Sequence, residues 1–460
     1  MENTSQIAIE KMLDGQRHFF ATHRTKNVDF RLEQLKKLRE VVKRYEPKIL
    51  EALWVDLRRP PEEIYMTEIS IVLNEISNHI KHLRRWAKPK KVCTPLRLFP
   101  SRSKILYEPL GIALIVAPWN FPFQLLMSSL VGAISAGCCA ILKASPYTPN
   151  IAKVMEKMVR ETFSEDYIGF VQGNREVNAF LLEQRFDIIF FTGSVALGQK
   201  VMRAAAEHLT PVVLELGGKN PCIVDSEADV DVAAARIAWG KTLNSGQICL
   251  SPDYLFIHRS RKREFTEKFE EFIAKTYGKN CKESKYYPRL VNRKSAERLK
   301  ELLKNTNIVC GGDVSEPERY VAPTLVDGVD TEHPIMQEEI FGPILPMLTF
   351  DDINEPISHI NAREKPLAIY YFGSVGKGNE VLRKTTSGGA CINDVIMHSA
   401  NHHLPFGGVG KSGIGRYHGK DSFIAFSNRR AIFTSPTWFD IATRYPPFTH
   451  FGALKKLLNI

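Results

Sequence analysis

The stretch Gly111-Ile-Ala-Leu-Ile-Val-Ala117 is a continuous apolar and β-branched run, and it ends in the turn-forming segment Pro118-Trp-Asn-Phe-Pro122. Apolar residues at helical spacing follow over 125–136, and a second apolar run covers Cys138-Cys-Ala-Ile-Leu-Lys143. Strand, helix and strand in this order are typical of a parallel βαβ unit. The sequence therefore predicts an α/β fold built on a parallel sheet.

Polar residues stand at the ends of both predicted strands, Asn120 after the first and Lys143 at the end of the second. Ligands of open parallel sheets bind at the carboxyl ends of the strands. The alternation continues with a strand over 187–191, the turn Thr192-Gly-Ser194 and a helix over 195–208. The first turn of that helix, next to Gly193 and Ser194, could bind a phosphate, although most glycines before helices only form turns.

A single carboxylate, Glu215, lies inside the apolar run Pro211-Val-Val-Leu-Glu-Leu-Gly-Gly-Lys-Asn220. An acid in such a strand is expected to be desolvated, which raises its pKa towards the range of a general base. The alternative is a carboxylate tied to backbone amides for structural reasons. The residues themselves leave both interpretations open.

One cysteine, Cys249, lies in Leu243-Asn-Ser-Gly-Gln-Ile-Cys-Leu-Ser-Pro-Asp-Tyr254, between a turn of small residues and a strand-like aromatic run. A reactive thiol needs nearby backbone amides, some access to solvent, and neighbours that favour its ionised form. A free cysteine without that context is more often a small buried apolar residue. The segment alone does not decide between the two.

Other elements follow from hydrophobic spacing. Amphipathic helices are predicted over 29–56 and 62–83, and the basic, proline-containing stretch 89–103 is interpreted as an arm that leaves the main body and returns. A second α/β region is predicted from Cys222 to Cys391. Its expected strands cover 222–224, 254–258, 344–350 and 368–372, and its expected helices include 230–243 and 264–277.

Two patterns near the C-terminus are interpreted as decoys. Gly408-Val-Gly-Lys-Ser-Gly413 matches G-x-G-x-x-G, but Pro405 stands where a nucleotide-triphosphate loop needs glycine. The other has helical metal-ligand spacing in a segment expected to be a loop, so no metal site is predicted. It consists of Asp394, His398, His402 and His403.

Composition narrows the classes of function. The 460 residues carry a net charge of +11, but the 62 basic residues are dispersed among 51 acidic ones, so a nucleic-acid partner is not expected. The eight cysteines form no C-x-x-C pair, 1–10 lacks the pattern of a signal peptide, and no segment is apolar enough to span a membrane. We expect a cytoplasmic protein without a stable membrane anchor, whose basic amphipathic end 451–460 docks on its own fold or on a partner subunit.

Six stretches resemble, in order, the motifs of the aldehyde dehydrogenase superfamily over nearly the whole chain. They are Ala117-Pro-Trp-Asn-Phe-Pro122, Phe191-Thr-Gly-Ser194, Leu214-Glu-Leu-Gly-Gly-Lys219, Gly246-Gln-Ile-Cys249, Glu338-Glu-Ile-Phe-Gly-Pro343 and Pro405-Phe-Gly-Gly408. The short N-terminus, Asn393-Asp-Val-Ile-Met-His398 and Arg444-Tyr-Pro-Pro447 look like the class 3 branch, which oxidises medium- or long-chain aliphatic and aromatic aldehydes.

The resemblance implies a Rossmann-like cofactor-binding domain, an α/β catalytic domain and a small bridging β arm that pairs two subunits into a homodimer. In this sequence the domains are expected at 1–88 with 107–214 for the cofactor, 215–412 for catalysis, 89–106 with 425–435 for the arm, and 436–460 for a tail.

The resemblance also implies roles for particular residues. Cys249 would attack the aldehyde, the Asn120 amide would hold the oxyanion, and Glu215 would activate water against the thioester, although the Glu339 position is a rival base. The dinucleotide would be held by residues whose positions match the family's motifs. They are Trp119, Lys143, Gly193, Ser194, Glu339 and Phe341.

Lys143 is followed by Ala144-Ser-Pro146, where family members often carry Pro-Ser-Glu. The missing carboxylate would otherwise repel a 2'-phosphate, so NADP is expected to be accepted alongside NAD. Alternatives are a relative that passes the thioester to coenzyme A or reduces acyl phosphates, and a non-catalytic binding protein on the same fold. The presence of Glu215 favours hydrolysis, and the presence of Cys249 and Asn120 favours catalysis.

Overall fold

The chain forms two mainly parallel sheets with helices packed against them. Two small antiparallel sheets, of three and two strands, share no strand with either. The computed structural model describes residues 3–440, 444–448 and 451–458. The described strands are β1 (Lys90–Val92), β2 (Arg102–Pro109), β3 (Ile112–Val116), β4 (Cys139–Lys143), β5 (Ile168–Val171), β6 (Ile188–Gly193), β7 (Val212–Leu216), β8 (Pro221–Val224), β9 (Tyr254–His258), β10 (Asn307–Cys310), β11 (Val314–Ser315), β12 (Tyr320–Val321), β13 (Thr324–Asp327), β14 (Ile344–Phe350), β15 (Ala368–Phe372), β16 (Gly389–Ile392), β17 (Gly413–Ile414) and β18 (Ser427–Thr434).

Helices alternate with these strands along most of the chain. The described α-helices are α1 (Gln6–Ala21), α2 (Val28–Leu57), α3 (Pro61–Ile64), α4 (Ser70–Trp86), α5 (Pro122–Ala136), α6 (Pro149–Thr162), α7 (Arg175–Glu183), α8 (Val195–Glu207), α9 (Val230–Thr242), α10 (Lys262–Tyr277), α11 (Arg293–Leu302), α12 (Pro334–Gln337), α13 (Asn354–Asn361), α14 (Val375–Lys384), α15 (Lys420–Ala425) and α16 (Phe451–Leu458).

The first sheet has the strand order β17-β7-β6-β3-β4-β5, and only β17 runs antiparallel to its neighbour. β3 pairs in parallel with β4 from Ile112 opposite Cys139 to Val116 opposite Lys143, which confirms the predicted βαβ unit. The connecting helix α5 is buried along its whole length, because its sequence is apolar on every side. It ends at Gly137, whose left-handed backbone (φ 93°) suits glycine.

The second sheet has the order β10-β13-β14-β9-β8-β15-β16, with β10 alone antiparallel. The predicted strands 254–258, 344–350 and 368–372 are confirmed as β9, β14 and β15. They are recognisable because strands buried on both faces read as continuous apolar runs.

A third sheet, β1-β2-β18, contains the predicted arm. β18 pairs antiparallel with all of β2, from Ser427 opposite Pro109 to Thr434 opposite Arg102. The predicted excursion therefore returns as an extended strand and meets the C-terminal strand. Most residues of this sheet are exposed.

The N-terminal helices agree with the predicted spacing, except that α1 was not predicted. Its buried face contains the fully buried Gln16, whose Nε2 donates to Ala140 O at 2.9 Å. A polar residue on the buried face weakens the apolar periodicity, which explains why the helix is difficult to recognise.

No helix in the described ranges is long and apolar enough to cross a membrane. The predicted tail includes 441–443, 449–450 and 459–460, and the predicted signal-free N-terminus includes 1–2; these lie outside the described residues.

Candidate active site

The candidate site lies where the chain order of the first sheet reverses. β3 lies between β4 and β6, so the helices that follow β3 and β6 diverge and leave a crevice at the carboxyl ends. Asn120 follows β3, Lys143 ends β4, and Gly193 ends β6. The sheet thus brings to one edge residues that are far apart in sequence.

Cys249 follows a tight turn with an unusual backbone. Asn244, Ser245 and Gly246 all have left-handed φ angles, of 48°, 56° and 73°. A methyl group on Gly246 would lie 2.4 Å from the carbonyl oxygen of Gly342, so only glycine fits there. The turn is therefore in close contact with the segment that carries the second predicted acid, Glu339.

Buried amides hold the Cys249 loop in place. Gln247 is fully buried; its Nε2 donates to Asn244 O (2.8 Å) and Arg289 O (3.1 Å), and its Oε1 accepts from Val291 N (2.9 Å). Asn220 Nδ2 donates to the carbonyl oxygen of Cys249 at 2.6 Å. These bonds fix the peptide units on both sides of the thiol.

The structure places Asn120 against the same loop. Its Nδ2 donates to Gln247 O at 3.0 Å, and Asn244 Nδ2 donates to Asn120 O at 2.9 Å. The side chain is almost completely buried. An amide nitrogen carries two N–H groups, so one of them remains for an oxygen bound beside Cys249.

Glu215 is a buried acid whose carboxyl oxygens accept no hydrogen bond among the described residues. Its side chain is 3% exposed, and neither carboxyl oxygen has a hydrogen-bond partner among the described residues. Burial raises the pKa of Glu215 well above its ordinary value of 4.5, and Arg416 opposes this only in part. The predicted direction of the shift is confirmed, and the alternative of a carboxylate tied to backbone amides is wrong.

Glu339 is a second acid near the thiol. Its Oε2 lies 2.1 Å from the point that a methyl group on Gly217 would occupy, so the carboxylate lies directly against the backbone that follows β7. Burial and then Asp253 raise the pKa of Glu339 to about 8, and the backbone N–H of Gly218 opposes this shift.

The environment of the thiol differs from the expectation that its neighbours favour ionisation. Burial, followed by the charges of Glu339 and Glu215, raises the pKa of Cys249 to about 12. The nearby backbone amides of Cys249 and Leu250 offset only part of this shift. The resting cysteine is therefore protonated at neutral pH and needs a proton acceptor or a compensating charge before it can attack.

A pocket of about 730 Å³, including the solvent at its mouth, contains Asn120, Glu215 and Cys249 in its wall. Most of the remaining wall is apolar. Its apolar residues are Ile71, Phe121, Leu125, Leu216, Leu243, Ile248, Leu250, Leu367, Ile396 and Phe406.

The crevice fits a dinucleotide. Buried Lys143 donates through Nζ to Ala144 O (2.7 Å) and Gly173 O (2.9 Å), which leaves its third N–H free for a ligand. Burial lowers the pKa of Lys143 to about 8.

Ser194 caps the exposed start of α8, and the ring of Trp119 meets that of Phe341 edge-on at 5.4 Å. The side-chain hydroxyl of Thr192, near the end of β6, has no hydrogen-bond partner among the described residues.

Sequence reasoning missed a buried ion cluster behind the site. Fully buried Arg59 donates to Glu63 Oε1 (2.9 Å) and Glu68 Oε1 (2.5 Å). Glu63 accepts from Asn244 N (3.2 Å), and Glu68 accepts from Gln124 N (2.7 Å). Arg58-Arg-Pro-Pro-Glu-Glu63 resembles a solvated charged segment, so its burial gives no sequence signal.

The structure describes both C-terminal patterns, the glycine-rich stretch 408–413 and the group of Asp394 with three histidines. Gly410–Ser412 is a single 3₁₀ turn that leads into β17, without the helix that a phosphate loop needs. In the described part of the chain, no three His, Cys, Asp or Glu side chains are grouped to hold a metal ion.

Residues 1–432 match the family model of the aldehyde dehydrogenase family. The chain belongs to the aldehyde dehydrogenase family. It is 46% identical over 96% of both chains to 4,4'-diaponeurosporen-aldehyde dehydrogenase of Staphylococcus aureus (strain NCTC 8325 / PS 47). It is 42% identical to aldehyde dehydrogenase family 3 member A2 of Mus musculus, over 95% of this chain and 91% of that one.

Solved structures of aldehyde dehydrogenases agree with the fold. The substrate-bound Staphylococcus aureus AldH superposes with a TM-score of 0.95 at 45% identity, covering 98% of this chain and 99% of that one. The resemblance to the class 3 branch and the expected fold class are confirmed. This aldehyde dehydrogenase is an enzyme that oxidises aldehydes with NAD or NADP.

Proposed function

We propose that this aldehyde dehydrogenase oxidises apolar aldehydes to carboxylic acids through a covalent intermediate on Cys249. Asn120 acts as the oxyanion donor and Glu215 as the general base. The observation that carries the proposal is the convergence of these three side chains on one largely apolar pocket, with Glu215 buried and unpartnered.

In the first step Cys249 would pass its thiol proton to Glu215 as the sulfur attacks the aldehyde carbon and forms a thiohemiacetal. Glu215 would release that proton to solvent before the hydrolysis step. Negative charge develops on the former carbonyl oxygen. The free N–H of the Asn120 amide and the backbone N–H of Cys249 would donate to it. Loss of one such donor typically lowers the rate by about 100- to 1000-fold.

When bound, the dinucleotide would supply the acceptor for a hydride, one proton with two electrons, from the thiohemiacetal carbon. Cys249 then carries a thioester. Glu215 would take a proton from water as the water oxygen attacks the acyl carbon, and cleavage of the carbon–sulfur bond returns the thiol and releases the acid. An acid with a raised pKa suits this task, because its basicity is higher near neutral pH.

Glu215 is preferred to Glu339 as the base. Glu215 lines the pocket with Cys249 and has no competing partner, whereas Glu339 does not line that pocket and lies against Gly217 and Gly218. We assign Glu339 and Phe341 to the nicotinamide side, with Trp119 beside them. Lys143, Gly193 and Ser194 are assigned to the adenosine and pyrophosphate side.

The absence of an acid after Lys143 supports dual cofactor use. A close relative, from Canis lupus familiaris, is named as dimeric and NADP-preferring, at 40% identity over 95% of this chain and 98% of that one. We expect turnover with both NAD and NADP, measured as absorbance of the reduced cofactor. A complete lack of turnover with NADP would contradict this assignment.

The substrate class proposed is medium- or long-chain aliphatic or aromatic aldehydes, because the pocket wall is mainly apolar. The test is a rate profile over aliphatic aldehydes of increasing length and benzaldehyde, with wild type and Cys249→Ala. The wild type should oxidise them and the variant should not. Unaltered activity of Cys249→Ala would overturn the mechanism, and acyl-coenzyme A as the main product in the presence of coenzyme A would favour the acyl-transfer alternative.

A homodimer in the cytoplasm is proposed for the whole enzyme. Four large apolar side chains of the arm are exposed, and burying them against a second subunit would remove them from water. They are Val92, Leu96, Phe99 and Phe433. None of the eight cysteines is in a disulfide, which is compatible with a reducing compartment.

A further inference from the structure

Gln124 and His418 are polar residues in the otherwise largely apolar pocket wall. Each is 8% exposed, and each lines the pocket that contains Cys249. Within the described ranges, their hydrogen bonds are made by backbone N–H groups, from Gln124 to Glu68 Oε2 and from His418 to Ser422 Oγ. Among the described residues, the side-chain amide of Gln124 and Nδ1 of His418 have no hydrogen-bond partner and are not enclosed, whereas Nε2 of His418 is unpartnered and completely enclosed.

Ring contacts that do not use its nitrogens hold the His418 side chain in place, and the backbone of Gln124 is anchored beside the pocket. The backbone bond to Glu68 anchors Gln124 in the first turn of α5. The ring of His418 stacks on that of Phe406 at 5.0 Å and meets that of Tyr417 edge-on at 4.4 Å. Binding pockets are mainly apolar with a few polar groups that orient the ligand, and an accessible polar group without a protein partner in such a wall is available for that role.

Each of the two groups carries an acceptor, the amide oxygen or the unprotonated ring nitrogen, and each also carries a donor. An amide nitrogen donates, and a neutral imidazole donates through one ring nitrogen. Burial lowers the pKa of His418 and the nearby Glu75 opposes this only in part, so the ring is neutral at physiological pH. Both side chains can therefore donate to an oxygen atom without requiring a charge on it.

We propose that Gln124 and His418 form a polar subsite that binds an oxygen acceptor of the substrate other than its reacting carbonyl. The substrate class is then an apolar aldehyde that also carries an ether, hydroxyl or carbonyl oxygen. Ile71, Leu125 and Ile396 contact its hydrocarbon part. This inference rests on the proposed function, because it assumes that the pocket beside Cys249 holds the aldehyde.

The test compares ω-methoxyalkanals with n-alkanals that have the same number of non-hydrogen atoms, over a series of chain lengths. The quantity measured is the ratio of kcat/KM for the oxygenated aldehyde to that for the hydrocarbon. In the wild type this ratio should reach a maximum at the chain length that places the ether oxygen at the subsite. In Gln124→Leu the maximum should fall by about three- to tenfold, as expected for loss of a neutral hydrogen bond.

Gln124→Leu should also oxidise n-alkanals faster than the wild type, because leucine removes an unpartnered amide from their path. His418→Phe, which retains the ring contacts with Phe406, should lower the same maximum. Gln6→Leu is the matched control, since it makes the same replacement at an exposed residue of α1 that does not line the pocket, and it should keep the ratio. Thermal melting of each variant verifies that it is folded.

A ratio without a maximum in the wild type, or an equal ratio in wild type, Gln124→Leu and His418→Phe, would overturn the subsite. In either case oxidation of n-alkanals that depends on Cys249 would still support the proposed function. Activity independent of Cys249 would instead overturn the proposed function itself.

Discussion

Glu215, the proposed general base, is a single buried acid whose protonation also affects the stability of the fold. Its pKa is raised in the folded protein above the ordinary 4.5, so the folded state binds the proton more tightly than the unfolded chain. The stabilising contribution of that proton is complete below about pH 4.5 and is lost as the pH rises through the folded pKa. At higher pH Glu215 ionises, so the folded protein holds a buried charge and is less stable.

This leads to a prediction for Glu215→Gln. The difference in Tm between this variant and wild type should increase in favour of the variant as the pH rises above about 4.5, because glutamine does not ionise. The same variant should lose hydrolysis and accumulate thioester, detected by mass spectrometry of the protein. A Tm difference that is constant over the pH range would contradict the buried, unpaired state of Glu215.

Gly217 supports a second prediction at the residue scale. A methyl group there would displace the Glu339 carboxylate, whose Oε2 lies 2.1 Å from that position. We expect Gly217→Ala to raise the KM for the dinucleotide by roughly tenfold, equivalent to about 1.4 kcal/mol, with little change in Tm. Gly376→Ala, where the methyl group meets nothing within 4 Å, is the control and should leave KM unchanged.

At the level of elements, the cluster of Arg59, Glu63 and Glu68 joins the segment before α4 to two separate parts of the site. Glu63 reaches the Cys249 loop through Asn244, and Glu68 reaches the start of α5, just after Asn120. Part of the connecting segment, Tyr65–Ile69, is a π-helical turn. The geometry of the proposed nucleophile, Cys249, and the proposed oxyanion donor, Asn120, therefore depends on a helical segment that supplies neither.

Arg59→Met should be strongly destabilising, by about 3–5 kcal/mol, because it leaves two buried carboxylates without their cation. Urea unfolding measures this loss, and kcat should fall while the KM for NAD stays near the wild-type value. Arg59→Lys should recover part of both quantities. Arg259→Met, which breaks an exposed pair with Asp351, is the control and should change neither. Wild-type kcat in Arg59→Met would contradict the positioning role.

Three strands and several site residues show how much of the structure can be predicted from the sequence. β9, β14 and β15 were found at their observed bounds because each is a continuous apolar run between breakers. Asn120 and Lys143 could be inferred from their positions at strand ends, whereas Cys249 and Glu339 needed the family resemblance. Glu63 and Asn220 could not be predicted, because Glu63 accepts from a residue 181 positions away in the chain and Asn220 donates to one 29 positions away.

For the whole molecule, the proposed homodimer can be tested at the arm. β18 lies at an edge of its sheet, and the exposed Phe433 and Leu96 belong to the same arm. We predict that Phe433→Asp converts a dimer into a monomer in sedimentation experiments, because it would place a charge in a buried interface. Leu209→Asp, at a residue 90% exposed outside the arm, should leave the mass unchanged. A wild-type monomer would overturn the proposed homodimer.

The protonated state of Cys249 has a practical consequence for chemical labelling. Alkylating probes react with thiolates, and a thiol whose pKa is about 12 offers very few of them at neutral pH. The exposed Cys93, on the arm, has no such shelter from solvent. A cysteine-directed probe applied to the resting enzyme would therefore modify the arm first, and the extent of labelling would be a poor count of working active sites.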